Sequence, residues 1–288
     1  MEDIFGNEIK KSVLLRDKFI EPPFSILNTK SGNWQRRKRE WGKLGIRSEI
    51  GRNATAFNLK NWVNKNSYNN DKLKSDVSIF DPALCELMYH WFCPKNGTIL
   101  DPFAGGSVRG IVANYLGFKY TGIDIRQEQI DSNREQGIEI LDSNNQSNWI
   151  VGDSDEVLNN INKKFNFVFS CPPYADLEKY SDLEKDISNM SYIKFMKAYE
   201  SIINKSCKLL KSGGYACFVV GEIRDKKGNY IGFVPDTIKA FKKAGMNYYN
   251  ESILLTSGLG AAGMRAAGNM KSQKLVKVHQ NVLIFKKN

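Results

Sequence analysis

Residues 98–107 read TILDPFAGGS: a short apolar run, Thr98–Asp101, ends on an acid and opens into a glycine-rich turn, Phe103–Ser107. The pattern recurs downstream. Tyr120–Ile125 (YTGIDI) reads as a second strand with an acid at Asp124, and Trp149–Gly152 as a third, followed by Asp153 and Ser154. Asn166–Ser170 (NFVFS) is a fourth and leads into Cys171-Pro172-Pro173-Tyr174; Gly214–Val220 (GYACFVV) is a fifth. Helical patterns lie between them at Val108–Leu116, 126–137, 191–210 and 234–244. Strands alternating with helices at this spacing predict an α/β fold with a doubly wound, mostly parallel sheet. The apolar segments 252–256 and 276–286 predict a closing antiparallel strand pair at one sheet edge. Upstream, PALCELMYHWF (82–92) predicts an amphipathic helix.

The chain has 288 residues, 41% hydrophobic and 25% charged, enough to bury a substantial core. A mean hydropathy of −0.43 and the lack of a long apolar run argue against a membrane span. No basic stretch followed by an apolar one opens the chain, so no secretory signal is read. Five cysteines without a CxxC pair and only two histidines predict no zinc site and a reducing, cytoplasmic setting. The excess of 42 Lys and Arg over 31 Asp and Glu, +11 overall, sits at two places. Residues 30–65 carry ten basic residues against Glu40 and Glu49, a net of +8, and the tail from 264 carries six with no acid. Basic edges around a near-neutral centre suit phosphate contacts flanking a catalytic domain, although solvated charged faces would read the same way. Within NWQRRKREWGKLGI, Trp34 and Trp41 are seven apart and fall on one helix face, a spacing that favours packing. Arg36, Arg37 and Arg39 between them are the better nucleic-acid candidates. The Asn-rich stretch at 64–72 reads as a linker. These features divide the chain into a basic N-terminal segment, 1–75, and a domain spanning 76–288.

In an open α/β sheet a ligand lies beyond the carboxyl ends of the strands. Glycines after Asp101 allow close approach to the backbone, while Asp101 itself can receive an amine or order its loop. Asp124 is placed to accept both hydroxyls of a ribose, and Asp153 to accept from an adenine amine. Each acid alone could simply cap the following helix. Three in order, followed by Pro-Pro-Tyr, favour ligand binding.

Asp101–Ser107 resembles the cofactor motif DPFxGxG of S-adenosylmethionine-dependent DNA amino-methyltransferases, and Cys171–Tyr174 resembles their catalytic (D/N/S)-P-P-(Y/F/W). The resemblance covers roughly 76–288 and implies a Rossmann-like methyltransferase fold. Residues 76–100 resemble the helix that precedes the cofactor motif in members with permuted order, where it helps hold the methionine end. The run PFSILNTKSGNWQRRKREWGKLGIRSEIGR resembles a segment of phage-type members. Carried over, Asp101, Phe103 and Gly105 line the cofactor pocket and Asp124 holds the ribose. Asp153 meets the adenine amine, with Ile125 and Ser154 beside the ring. Tyr174 stacks on an extruded base, and the Pro172 carbonyl accepts from the target amine. The resemblance implies S-adenosylmethionine as cofactor, double-stranded DNA as partner, no metal, and transfer to adenine N6 or cytosine N4 after base flipping.

Two positions depart from the family. Ser107 stands where the second glycine falls, and Cys171 stands where Asp, Asn or Ser belongs. Sulfur is a weak acceptor. A cysteine here also admits covalent attack on a cytosine ring, which needs a thiolate, or a small filler at a strand end. Glu178, in the following acidic loop, reads as a solvent-exposed acid, with a substitute acceptor as the alternative. The segment Gly258–Lys274 lacks core periodicity and predicts a mobile loop, with Arg265, Lys271 and Lys274 on phosphates. His279 reads as structural. The alternatives are an RNA amine methyltransferase and a nucleic-acid-binding protein with a degenerate, inactive methyltransferase fold. A partner nuclease is left open.

Overall fold

The computed structural model describes residues 15–46, 80–174, 183, 185–256 and 260–288. The stretch 64–72 and the loop carrying Glu178 lie outside the described residues. Along the chain come α1 (Leu15–Phe19), β1 (Ile26–Asn28), α2 (Gly32–Lys43) and α3 (Pro82–Phe92). Next are β2 (Thr98–Asp101), α4 (Val108–Tyr115), β3 (Lys119–Asp124), α5 (Gln127–Ile140), β4 (Asn148–Val151) and α6 (Ser154–Val157). The rest of the chain forms β5 (Phe165–Ser170), α7 (Tyr192–Leu209), β6 (Leu210–Val220), α8 (Phe233–Lys243), β7 (Asn247–Leu255), α9 (Gly260–Met270) and β8 (His279–Lys286).

The strands form one sheet of eight in the order β1-β7-β8-β6-β5-β2-β3-β4. Every pairing is parallel except those of β8, which runs antiparallel to both β6 and β7. The order reverses between β2 and β5, and in such a sheet the ligand crevice opens where the order reverses. The doubly wound expectation holds, as does the antiparallel strand from the C-terminal segment. That pair is not the edge, however: β1 adds in parallel outside β7, Ile26 opposite Ile253.

Each face of the sheet is covered by helices whose apolar residues recur at helical spacing. On α7 the buried stripe is Phe195, Tyr199, Ile202, Ile203, Ser206 and Cys207. It packs with Phe241 of α8 and Phe218 of β6 on one face. On the other face Leu84, Leu87 and Met88 of α3 join Val108 and Val112 of α4 and Trp149 of β4. Among the described residues no helix is long and apolar enough to cross a membrane.

The described part of the N-terminal segment shares this second core rather than standing apart from it. Trp34 and Trp41 are 1% and 6% exposed, so the seven-residue spacing does serve packing. Each indole also reaches a carboxylate of the α3 region: Trp34 Nε1 donates to Asp81 at 3.1 Å and Trp41 Nε1 to Glu86 at 2.9 Å. Asp81 in turn caps α3 by accepting from the Ala83 amide. The indole of Trp91 holds α1 by donating to the Phe19 carbonyl at 2.8 Å. The predicted loop over 258–274 is corrected: Gly260–Met270 is a helix. Its alanines carry high helix propensity without an apolar stripe, which is why periodicity does not find it.

If α2 is part of the core, Trp34→Ala should destabilise the protein by about 3–5 kcal/mol, the usual cost of emptying a buried aromatic site. Urea unfolding of the whole chain reads this directly. A change within about 0.5 kcal/mol, typical of surface positions, would mean that α2 does not pack as described.

Candidate active site

Asp101, the last residue of β2, has no exposed surface. Its Oδ2 accepts from Arg109 Nε at 2.5 Å and from the Tyr120 hydroxyl at 2.7 Å. Its Oδ1 accepts from the Ser170 hydroxyl at 2.5 Å and from the Phe103 amide at 3.2 Å. Of the two roles open to this acid, the geometry is that of ordering the loop. Arg109, on α4, is the partner that sequence reasoning missed. Its Nη2 donates to the Phe103 and Ala104 carbonyls at 2.7 and 2.8 Å, and its guanidinium lies 4.6 Å over the Phe80 ring. Burial works against its charge, but Asp101 beside it outweighs that and holds the guanidinium even more firmly protonated than usual. The only sequence signal was a lone arginine within an apolar helical pattern.

This network shapes the glycine-rich turn. Gly105 takes φ +51°, a left-handed conformation that glycine adopts without strain. Its amide donates to Asp124 Oδ2 at 2.9 Å, and its carbonyl accepts from Asn133 of α5 at 2.7 Å. Asp124 Oδ1 accepts from the Arg126 amide at 2.9 Å. The Asp124 carbonyl takes the Gly152 amide at 2.9 Å, tying the β3 and β4 ends together. Asp124 and Ile125 are half-buried, so both remain reachable from solvent. Phe103 is half-buried too, 5.9 Å from Tyr199 and 6.3 Å from Phe218 between ring centroids.

The residues after β4 behave partly as caps. Asp153 accepts from the Asp155 amide at 2.8 Å as the N-cap of α6, while staying half-buried. Ser154 is buried, and its hydroxyl donates to the Pro102 carbonyl at 2.5 Å. It therefore staples the β4 end to the β2 loop. Ser107, in place of a glycine, is fully buried, with its hydroxyl 3.2 Å from Gln136 Oε1.

Cys171, Pro172, Pro173 and Tyr174 follow β5, the strand beside β2. Cys171 is half-buried, whereas Cys85, Cys93, Cys207 and Cys217 are buried. Burial pushes the thiols of Cys93 and Cys207 up to about 12 and those of Cys85 and Cys217 well above the ordinary value. The Tyr174 ring meets Phe233 edge-on at 5.9 Å. The end of β6 lies alongside. There Glu222, which the sequence did not single out, accepts from the amides of Gly232 and Phe233 at 3.0 and 2.9 Å and so caps α8. His279 opens β8, and burial, then Lys277, lowers its basicity. Among the described residues no cluster of His, Cys, Asp or Glu could hold a metal.

The four loops that carry Asp101–Ser107, Asp124–Ile125, Asp153–Ser154 and Cys171–Tyr174 thus sit at the carboxyl ends of four neighbouring strands. Of the basic residues, Arg36 and Arg39 on α2 are exposed. Arg37 is turned inward, its Nη2 2.5 Å from Glu86 Oε1, and is a tether between α2 and α3. Arg265 and Lys271 are exposed. Lys274 is half-buried with its ammonium against the Gly228 backbone, so its reach to a phosphate is reduced. A cavity of about 650 Å³, lined by Arg16, Arg36 and Arg37, lies between α1 and α2. Another of about 410 Å³, lined by Trp91 and Tyr215, lies at the amino ends of the strands, away from these loops.

Residues 18–135 match a family model for N6/N4 methyltransferases described as DNA methylase. The match takes in Asp101–Ser107 and Asp124 and ends before Cys171, and over that span the resemblance to DNA amino-methyltransferases stands. No curated protein matches the sequence. Among solved structures, the chain is similar to TrmN from Thermus thermophilus, at 13% identity and TM-score 0.49, over 73% of this chain and 49% of that one. The chain therefore spans about half the length of that protein. It is similar to magnesium protoporphyrin IX methyltransferase (ChlM) from Synechocystis PCC 6803 with bound SAM, at 12% identity and TM-score 0.47, over 82% and 93% of the two chains. It is also similar to a TehB-like SAM-dependent methyltransferase from Corynebacterium glutamicum, at 16% identity and TM-score 0.42, over 80% and 96%.

Two tests follow from this geometry. Arg109→Met should destabilise the protein by about 3–5 kcal/mol in urea unfolding, because it strips the charge partner from a buried carboxylate. A loss under 1 kcal/mol would show that the pair is not buried as described. A maleimide at pH 8 should label Cys171 well before the four buried thiols, since only the thiolate reacts. Peptide mapping of the modified folded protein reads the order, and equal labelling at Cys85 or Cys217 would contradict it.

Proposed function

We propose that the protein transfers a methyl group from S-adenosylmethionine to an exocyclic amine, adenine N6 or cytosine N4, of a base flipped out of double-stranded DNA. One observation carries this reading: the loops resembling the family's cofactor motif and its catalytic motif leave adjacent strands, β2 and β5, and are joined through the Ser170–Asp101 hydrogen bond. The family match over 18–135 supports DNA as substrate.

The site chemistry fits the cofactor. A half-buried carboxylate, Asp124, held by two backbone amides, suits a pair of ribose hydroxyls, and Ile125 offers an apolar flank to the adenine. Asp153, its cap role leaving it half-buried, would meet the adenine amine. Gly105 keeps the β2 turn open to the backbone, with Phe103 beside it, while Asp101 acts beneath them by holding the loop. S-adenosylmethionine supplies a methyl group already activated by a sulfonium. The protein's task is to prepare the nucleophile. An exocyclic amine shares its lone pair with the ring, and accepting one of its N–H bonds at the Pro172 carbonyl favours a pyramidal nitrogen with that pair available. Tyr174 offsets the stacking lost on flipping. Cys171, a poor acceptor, adds little to this polarisation, which leaves Pro172 as the main acceptor. Arg36, Arg39, Arg265 and Lys271 contact phosphates and position the duplex; Arg37 keeps α2 in place.

Incubation with labelled S-adenosylmethionine and mixed-sequence duplex DNA, then digestion to nucleosides and mass spectrometry, tests the reading. N6-methyladenine or N4-methylcytosine is the expected product. 5-Methylcytosine would replace amine transfer with attack by Cys171, and Cys171→Ser would then abolish activity. Product on RNA alone would favour the RNA enzyme; no product on either would favour a binding protein with an inactive fold.

A further inference from the structure

We infer that Gln280 is a positioning residue that holds the Tyr174 ring as the wall of the target-base pocket; this rests on the methyl-transfer reading above. Gln280 is the second residue of β8, far from either motif in the chain. Its Nε2 donates to the Tyr174 hydroxyl oxygen at 3.1 Å. The placement is built into the sheet. Because β8 runs antiparallel to β6 with Asn281 opposite Val220, Gln280 comes level with Gly221, the first residue after β6. Gly221 is buried, and a Cβ there would lie 3.4 Å from the Tyr174 hydroxyl and 3.9 Å from two of its ring carbons. The glycine leaves room for the phenol rim, and the glutamine beside it fastens that rim. Phe233, in the first turn of α8, meets the ring edge-on at 5.9 Å and 72°.

Three elements outside the catalytic motif therefore converge on one side chain. Packing by Phe233 and Gly221 limits how the ring can turn, and the amide hydrogen bond, made at the hydroxyl, holds the outer end of the ring in place. A ring that must receive an unstacked base gains from being ordered beforehand, since freezing it only on binding costs conformational entropy. Gln280 acts on the reaction through Tyr174, so removing either end of the hydrogen bond should have the same effect as removing both.

The test is steady-state methylation by Gln280→Leu, Tyr174→Phe and the double variant, on DNA carrying a site that the wild type methylates. Each single variant should lower kcat/KM for the nucleic acid about fivefold, the usual yield of one hydrogen bond, with the KM for S-adenosylmethionine unchanged. The double variant should lose no more than either single one, the signature of a shared interaction. Tyr174→Phe keeps the ring and its packing, so it tests the same bond even if Gln280→Leu disturbs β8. Wild-type rates in both single variants would overturn the inference, as would losses that multiply in the double variant or fall on the cofactor's KM. If the wild type methylates neither DNA nor RNA, the methyl-transfer reading fails and the inference falls with it. An active wild type with unaffected variants overturns the inference alone.

Discussion

The contact between Asp101 and Arg109 is the constraint on which the site depends. Two opposite charges removed from water are expensive to hold unless their hydrogen-bonding capacity is filled. Here it is filled by the elements that need to be brought together. Tyr120 comes from β3, Ser170 from the end of β5, and the Phe103 and Ala104 carbonyls from the turn itself. The pair is therefore less a source of net stability than a jig: satisfying it requires the β2 turn, the β3 strand and the end of β5, where the Cys171–Tyr174 loop begins, to take one mutual arrangement. Phe80, lying over Arg109, extends the jig to the start of α3. Through the neighbouring Asp81 and its contact with Trp34, it reaches the basic helix α2.

Acids at successive strand ends play different parts despite their similar positions. Asp101 is sealed and structural. Asp124 is gripped by two backbone amides while half-open, so its orientation is set without closing it off from solvent. Asp153 caps a short helix and is half-open as well. Burial sets Asp101 apart from the other two, and burial depends on which neighbours the sheet order supplies.

Most of the fold was legible in the sequence because β2, β3, β4 and β6 are apolar runs closed by an acid or glycine and the helix α7 carries a clear apolar stripe. The helix at 82–92 and the inward-facing pair Trp34 and Trp41 followed from periodicity. What escaped was of three kinds. Strand β1, Ile26–Asn28, is three residues long and offers no period. Helix α9 is rich in Gly and Ala and lacks an apolar stripe, so composition suggested a loop. The partners of the site residues, Arg109 for Asp101 and Gln280 for Tyr174, are set by three-dimensional neighbourhood, which local pattern does not encode. For the same reason nothing in the local sequence sets Arg37 apart from Arg36 and Arg39, although Glu86 stands opposite it.

Strand β1 carries a consequence for how the protein is made. Thr29, just past its end, donates to the Leu255 carbonyl across a separation of 226 residues. Among the described strands this edge strand is made before the others, and its partner β7 follows only after β2, β3, β4, β5 and β6. Contacts of such long range close slowly, because the entropy of the intervening chain must be overcome before they form. Until then the N-terminal segment, with two tryptophans and a dense positive charge, travels with the nascent chain ahead of its docking site. Its tryptophans can settle on α3 once residue 92 has emerged, so the segment would dock in two stages: its helix early and its strand at the finish.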